Sequence, residues 1–150
     1  MEIDDGETMK HEIRTQISYI LFSESTTNLK AKGRSNFLIF EPYVRKTVSF
    51  PYKFSFYLTV GIMTPKTEIE DLYIKVFDPM MKELTQIPLG KMIEDQYSVP
   101  SDLVFTGNFS LYTEKGIDIE MPGLITIVVF YQDTPLAESR ILFDEVEDNE

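Results

Sequence analysis

Between Tyr52 and Met63 the apolar residues recur at every second position. Tyr52, Phe54, Phe56, Leu58, Val60 and Ile62 fall on one side, and Lys53, Ser55, Tyr57, Thr59 and Gly61 on the other. A period of two with one apolar face predicts a half-buried strand. Leu72 to Asp78 repeats the alternation, with Leu72, Ile74 and Val76 inward. The connection Thr64 to Asp71 is too short for a packed crossover helix, so an antiparallel pair is expected. Asp78-Pro79 then opens a turn, and a short strand near Lys82 to Ile87 returns. Leu124 to Tyr131 is apolar on both faces, which predicts a central strand covered on both sides. Pro122-Gly123 leads into it, Gln132 to Pro135 supplies a turn, and Leu136 to Phe143 returns as its partner. Arg14 to Phe22, Arg34 to Phe40 and Phe105 to Tyr112 are further strand candidates. Only Leu89 to Gln96 suggests a helix, kept short between Pro88 and Pro100. The expected fold is all-β: a single antiparallel β-sandwich of about seven or eight strands with at most one short helix.

Length fits this picture, since 150 residues make one domain able to bury a core without staples. Hydrophobic residues are 43% and charged ones 26%, which excludes a wholly disordered chain. Cysteine is absent, which removes disulfides, thiolate nucleophiles, iron–sulfur clusters and Cys-type zinc sites together. No apolar run of about 18 residues exists, so no membrane-spanning helix is predicted.

Charge adds a division within the chain. The formal net charge is -11, but residues 1–10 and 144–150 carry most of it. Like charges this dense repel one another and stay solvated. The domain is therefore expected at 11–143, between a disordered acidic leader at 1–10 and a disordered acidic tail at 144–150. Each end reads as a solubility tail or as an interaction segment that mimics nucleic-acid phosphates. The N-terminus shows no secretory signal, and together with the missing cysteines this predicts a cytoplasmic location. Met9 offers an alternative start to Met1.

Candidate chemistry is sparse. His11 is the one histidine, so a zinc site there would need carboxylates around it, an unusual set. No G-x-S-x-G turn is present to expose a serine nucleophile. Glu68, Glu70 and Asp71 cluster in one connection, and Glu94, Asp95 and Asp102 in another. Loop carboxylates can hold calcium, but the EF-hand spacing is missing. Paired carboxylates could equally serve glycoside hydrolysis, although spacing along a chain carries no geometry. The phosphate-cradling glycine loops are also missing. No catalytic, cofactor or metal residue is therefore assigned.

Positive charge gathers at Lys30, Lys32, Arg34, Arg45 and Lys46, with Phe37, Phe40 and Tyr43 interleaved. Such a stretch could track single-stranded nucleic acid. It reads equally as a solvated turn beside core aromatics, and a chain at -11 opposes a polyanion. A third reading is that these cations meet one of the acidic ends, in the same or another copy. Edge strands are a last candidate, with Thr15 to Phe22 and Leu136 to Phe143 expected at sheet edges.

Several segments together resemble a group of uncharacterised small bacterial β-sandwich proteins, some carried on mobile elements. These are Tyr19-Ile20-Leu21-Phe22-Ser23-Glu24-Ser25, then a polar turn, Phe37-Leu38-Ile39-Phe40 and the Phe50-Pro51 step into a long strand. A strand closing in Asp78-Pro79 and a late Pro122-Gly123 follow. The similarity spans about residues 15–143. It implies a β-sandwich and no activity. The segment Ser23 to Ser35 departs from the group's pattern, with Lys32-Gly33 in place of Asp-Gly, and the acidic leader is extra.

These readings converge on a non-enzymatic protein-interaction module that needs no cofactor. Its partner is expected to be another protein, with a homo-oligomer open and nucleic acid disfavoured. Two other readings stand beside it: an acidic inhibitor or nucleic-acid mimic, and a calcium-dependent binder or hydrolase built on loop carboxylates.

Overall fold

A computed structural model of the chain describes residues 14–31, 34–96, 104–113 and 115–147, with side chains described at 14–23, 44–94, 113 and 115–147. In chain order the elements are β1 (Gln16–Ala31), β2 (Arg34–Tyr43), β3 (Arg45–Val48), β4 (Tyr52–Phe54), β5 (Tyr57–Pro65), α1 (Lys66–Ile69) and β6 (Leu72–Phe77). β7 (Glu83–Ile87), α2 (Leu89–Gln96), β8 (Val104–Tyr112), β9 (Ile117–Ile119), β10 (Gly123–Tyr131) and β11 (Thr134–Glu145) follow. The fold is all-β, but the described residues hold eleven strands and two short helices rather than seven or eight strands and one helix. They form three sheets, ordered β2-β1-β5-β8, β3-β11-β10-β6-β7 and β4-β9. Pairing is antiparallel except between β3 and β11, which run parallel.

The long alternating stretch is two strands. Its buried face is continuous, from Phe54 through Phe56, Leu58 and Val60 to Ile62. The ladder, however, breaks at Ser55-Phe56 and changes partner. Tyr52–Phe54 pairs with β9, whereas Tyr57–Pro65 pairs with β1 and β8. At the break the Phe56 N–H donates to Thr113 Oγ1 and the Phe56 carbonyl accepts from the Thr113 N–H, both at 3.2 Å. The face opposite the core is closed at Gly61. A Cβ there would stand 2.4 Å from the Tyr19 ring, so the ring lies directly on the glycine backbone.

The expected pairing of this strand with β6 does not occur. β6 pairs with β10 and β7, so the connection through α1 carries the chain from one sheet to another. α1 is a single turn that buries Glu68 and Ile69, and this anchors the crossing. The β6–β7 hairpin does form on the expected turn. Asp78 Oδ1 accepts from the N–H groups of Met80 and Lys82, both at 2.8 Å. β10 is central as expected, between β6 and β11. Its core side holds Ile125, Ile127 and Val129, while Val128 is buried outside the continuous core, in register with Lys75 and Glu138.

α2 occupies the residues expected, with Leu89 and Ile93 one turn apart on its buried side. Pro88 stands just before it, where its missing N–H costs no helical bond. One continuous core joins all three sheets and both helices, from Phe22 and Leu58 to Phe54, Ile119, Ile74, Ile93 and Phe143. Phe54 stacks on Phe56 at 4.4 Å and meets the edge of Phe143 at 4.9 Å.

The expected tail boundary falls inside a strand. β11 continues through Asp144 and Glu145, which pair with Thr47 and Val48 of β3. Val146 N–H then donates to the Val48 carbonyl at 3.0 Å. An acidic strand end is tolerated there because Arg45 forms an ion pair with Asp144. The expected leader at 1–10 and residues 148–150 lie outside the described residues.

Candidate interaction site

The four described residues of the basic group lie at the two ends of β2. Lys30 is in register with Ser35, and Ala31 with Arg34, so Lys30 and Arg34 stand at the end of the β1–β2 hairpin. Lys32, in the connection between these strands, lies outside the described residues. Arg45 and Lys46 follow the opposite end of β2, roughly 30 Å away along ten extended residues. Arg45 is paired with Asp144, and Lys46 Nζ stands 5.9 Å from the centre of the Tyr52 ring. One basic residue of the group thus meets the acidic C-terminal run of its own chain.

The expected polar turn at Ser23 to Ser35 is strand instead over residues 23–31 and 34–35, and residues 32 and 33 lie outside the described residues. β1 runs on to Ala31, and β2 pairs with it from Phe22↔Tyr43 to Ala31↔Arg34. β5 accompanies β1 only over Gln16–Ser23. From Glu24 onward, β1 and β2 are paired as strands only with each other among the described residues, making a two-stranded arm. Threonines 26 and 27 and Leu29 favour the extended form, and Phe37 to Phe40 supply its apolar partner strand.

The clustered carboxylates separate. Glu68 is buried, and its two oxygens are taken by structural bonds. Oε1 accepts from the Thr15 N–H at 2.7 Å and the Thr15 hydroxyl at 2.9 Å, and Oε2 accepts from Arg14 Nε at 2.8 Å. Thr15 and Thr64 share a hydroxyl hydrogen bond at 2.7 Å. This set borders a recess of about 270 Å³ lined also by Tyr131, Gln132, Thr134 and Leu136. Glu70 and Glu94 are exposed, and Asp71 accepts from Gln132 through its backbone carbonyl at 3.0 Å. Asp95 has no described side chain, and Asp102 and His11 lie outside the described residues. Among the described residues no three His, Asp or Glu side chains are placed to hold a metal ion. The buried role of Glu68 was missed in the sequence, where an acid in an acidic connection reads as solvated.

A second recess of about 370 Å³ runs between β7 and β9, lined by Lys82, Glu83, Leu84 and Thr85 on one side and Gly116, Ile117, Asp118 and Glu120 on the other. Glu83 is engaged with Lys75 at 2.9 Å and Asp118 with Lys53 at 3.7 Å. The hydrogen bond to Glu83 holds the Lys75 ammonium above its usual pKa. Lys75 Nζ also stands 5.7 Å from the centres of the Tyr73 and Phe130 rings, which stack 5.2 Å apart. Partial burial raises the Tyr19 phenol in turn.

The segments expected at edges are open on one side over much of their length, although other strands end the sheets. β1 is paired with β5 over Gln16–Ser23 and with β2 over Phe22–Ala31, so among the described residues Gln16–Leu21 has no strand on its β2 side and Glu24–Ala31 none on its β5 side. Among the described residues β11 has no strand partner on its outer side before Leu142, and β1 and β11 approach each other. The strands that end the larger sheets are β2, β8, β3 and β7. Long-range pairing decides this, because the hairpin return β2 and the short β3 occupy sides that local alternation leaves open.

No family model matches the chain, and no curated protein matches it. An immunoglobulin-like protein from Pseudomonas aeruginosa has a solved structure similar to this one at a TM-score of 0.41, with 12% identity, over 87% of this chain and 97% of that one. Among the described residues no helix is long and apolar enough to cross a membrane.

Proposed function

We propose that the chain is a non-enzymatic protein-interaction module of β-sandwich type. Its binding element is the β1–β2 arm, with Lys30 and Arg34 at the arm's end and Lys32 between them in the sequence. The observation that carries this reading is the arm itself, whose strands run past the last β5 pairing at Ser23↔Tyr57. A two-stranded hairpin is marginal in water on its own and gains stability from a surface that covers it. Phe37-Leu38-Ile39-Phe40 places apolar residue types on both sides of β2, so such a surface has area to bury. Three cations within five residues favour an acidic partner, and electrostatic complementarity of this kind sets encounter rate and specificity.

The test uses the tagged full chain to capture partners from source lysate at moderate salt. Wild type is compared with the Lys30→Glu/Lys32→Glu/Arg34→Glu variant, with circular dichroism confirming the fold of both. A stoichiometric partner held by wild type and lost by the variant is expected. Equal capture by both, or capture of no partner by either, overturns the reading.

A further inference from the structure

The four strands that end the two larger sheets are not equally protected against pairing with another chain. Open edges are ordinarily blunted by charge, proline, short length or a bulge. β3 is four residues long and carries Arg45 and Lys46. β7 is five residues long, begins at Glu83, abuts Pro88 and shows a register shift against β6. β2 is longer but contains Arg34, Glu41 and Pro42. β8 has none of these devices. All nine residues, Val-Phe-Thr-Gly-Asn-Phe-Ser-Leu-Tyr, are uncharged, and proline is missing. Every one of the nine is in register with β5 on one side, and no strand pairs with the other side among the described residues.

We infer that β8 is the self-association edge of this protein and that its occupant is β8 of a second copy, joined antiparallel about a two-fold axis at Asn108. The sequence of the strand is what selects a second copy. Antiparallel pairing centred on Asn108 sets Val104 opposite Tyr112, Phe105 opposite Leu111, Thr106 opposite Ser110 and Gly107 opposite Phe109. A β-branched residue then faces an aromatic one, apolar faces apolar, and hydroxyl faces hydroxyl, which are favourable cross-strand combinations. The glycine meets an aromatic residue, the pairing that best compensates a strand glycine. A closed two-fold contact of this kind uses one segment twice and leaves no further edge to propagate. Charge points the same way. Each copy carries a formal -11, so two copies repel overall, and an uncharged nine-residue edge adds nothing to that repulsion.

Because Asn108 faces itself across the axis, it gives a charge-swap test on the full chain. Sedimentation velocity over a micromolar concentration series is expected to show a monomer–dimer equilibrium that strengthens with added salt as repulsion is screened. Asn108→Lys and Asn108→Asp, each confirmed folded by thermal melting, are expected to weaken the dimer at least about tenfold, since like charges then stand opposed. An equimolar mixture of the two is expected to restore the dimer. Should either variant fail to fold, the register is tested at Thr106 and Ser110. Thr106→Lys/Ser110→Asp keeps the dimer and Thr106→Lys/Ser110→Lys loses it. A wild-type chain that stays monomeric across the series overturns the inference, as does a dimer indifferent to both Asn108 variants or one that the mixture fails to restore.

Discussion

Glu68 shows how one side chain can hold a chain crossing together. It sits on α1, between β5 and β6, and binds the Thr15 backbone and hydroxyl at the start of β1. The carboxylate therefore ties the entry of one sheet to the step that leaves it. Its ion pair with Arg14 adds little, because the Arg14 side chain is 60% exposed and solvent screens such pairs. The buried bonds to Thr15 decide the matter. Glu68→Ala leaves the Thr15 N–H and hydroxyl without this acceptor, at an expected cost of about 1–3 kcal/mol in urea unfolding. Glu68→Gln keeps an acceptor oxygen at the same reach and should lose clearly less. Equal stability of all three proteins would show that the buried bonds are replaced at no cost.

Among the elements, the two helices meet closely at a glycine. Gly90, the second residue of α2, lies against the last residue of α1, where an added Cβ would stand 1.7 Å from the Ile69 carbonyl oxygen. Helix propensity by itself favours Gly90→Ala by about 0.5–1 kcal/mol. The contact is with backbone and cannot be relieved by a rotamer change, so the helices must separate, at about 1–3 kcal/mol or more. Steric cost exceeds propensity, and a net loss of stability is expected by thermal or urea unfolding. Lys91→Ala, at an exposed neighbouring position, is the control and should stay within about 0.5 kcal/mol of wild type. A stabilised Gly90→Ala protein would mean that the two helices do not meet in this way.

For the whole molecule, the acidic C-terminal run is where charge and topology compete. Charge repulsion alone makes Asp144 to Glu147 dispensable, and their removal neutral or stabilising. Pairing with β3, the Val146–Val48 hydrogen bond and the Arg45–Asp144 ion pair argue the reverse. Backbone hydrogen bonds contribute about 0.5–1.5 kcal/mol each, and the Val146–Val48 bond and the ladder at Asp144 and Glu145 are lost with these residues. A chain ending after Phe143 should therefore unfold several degrees below one ending after Glu147. A higher melting temperature for the shorter chain would make repulsion the larger effect.

Strand identity was legible wherever alternation was strong. Leu72 to Phe77, the Asp78-Pro79 turn, the β10–β11 hairpin and the helix at Leu89 to Gln96 stand where the pattern places them, since burial periodicity and turn chemistry are local properties. The arm was hidden because Ser23 to Ser35 is polar and reads as turn, although β2 pairs with β1 through nearly all of it. The candidate site was legible only as residue types: the four described cations of a group close in sequence stand at opposite ends of a ten-residue strand. The chain on its own determined that this is an all-β protein with few catalytic residue types and excess negative charge. The tertiary structure alone decided that β5 and β6 lie in different sheets, that Glu68 is a buried tie, that Asp144 belongs to a strand and that β8 ends its sheet. Each of these depends on which distant segment occupies a strand's second side, and period-two alternation records only which face is buried.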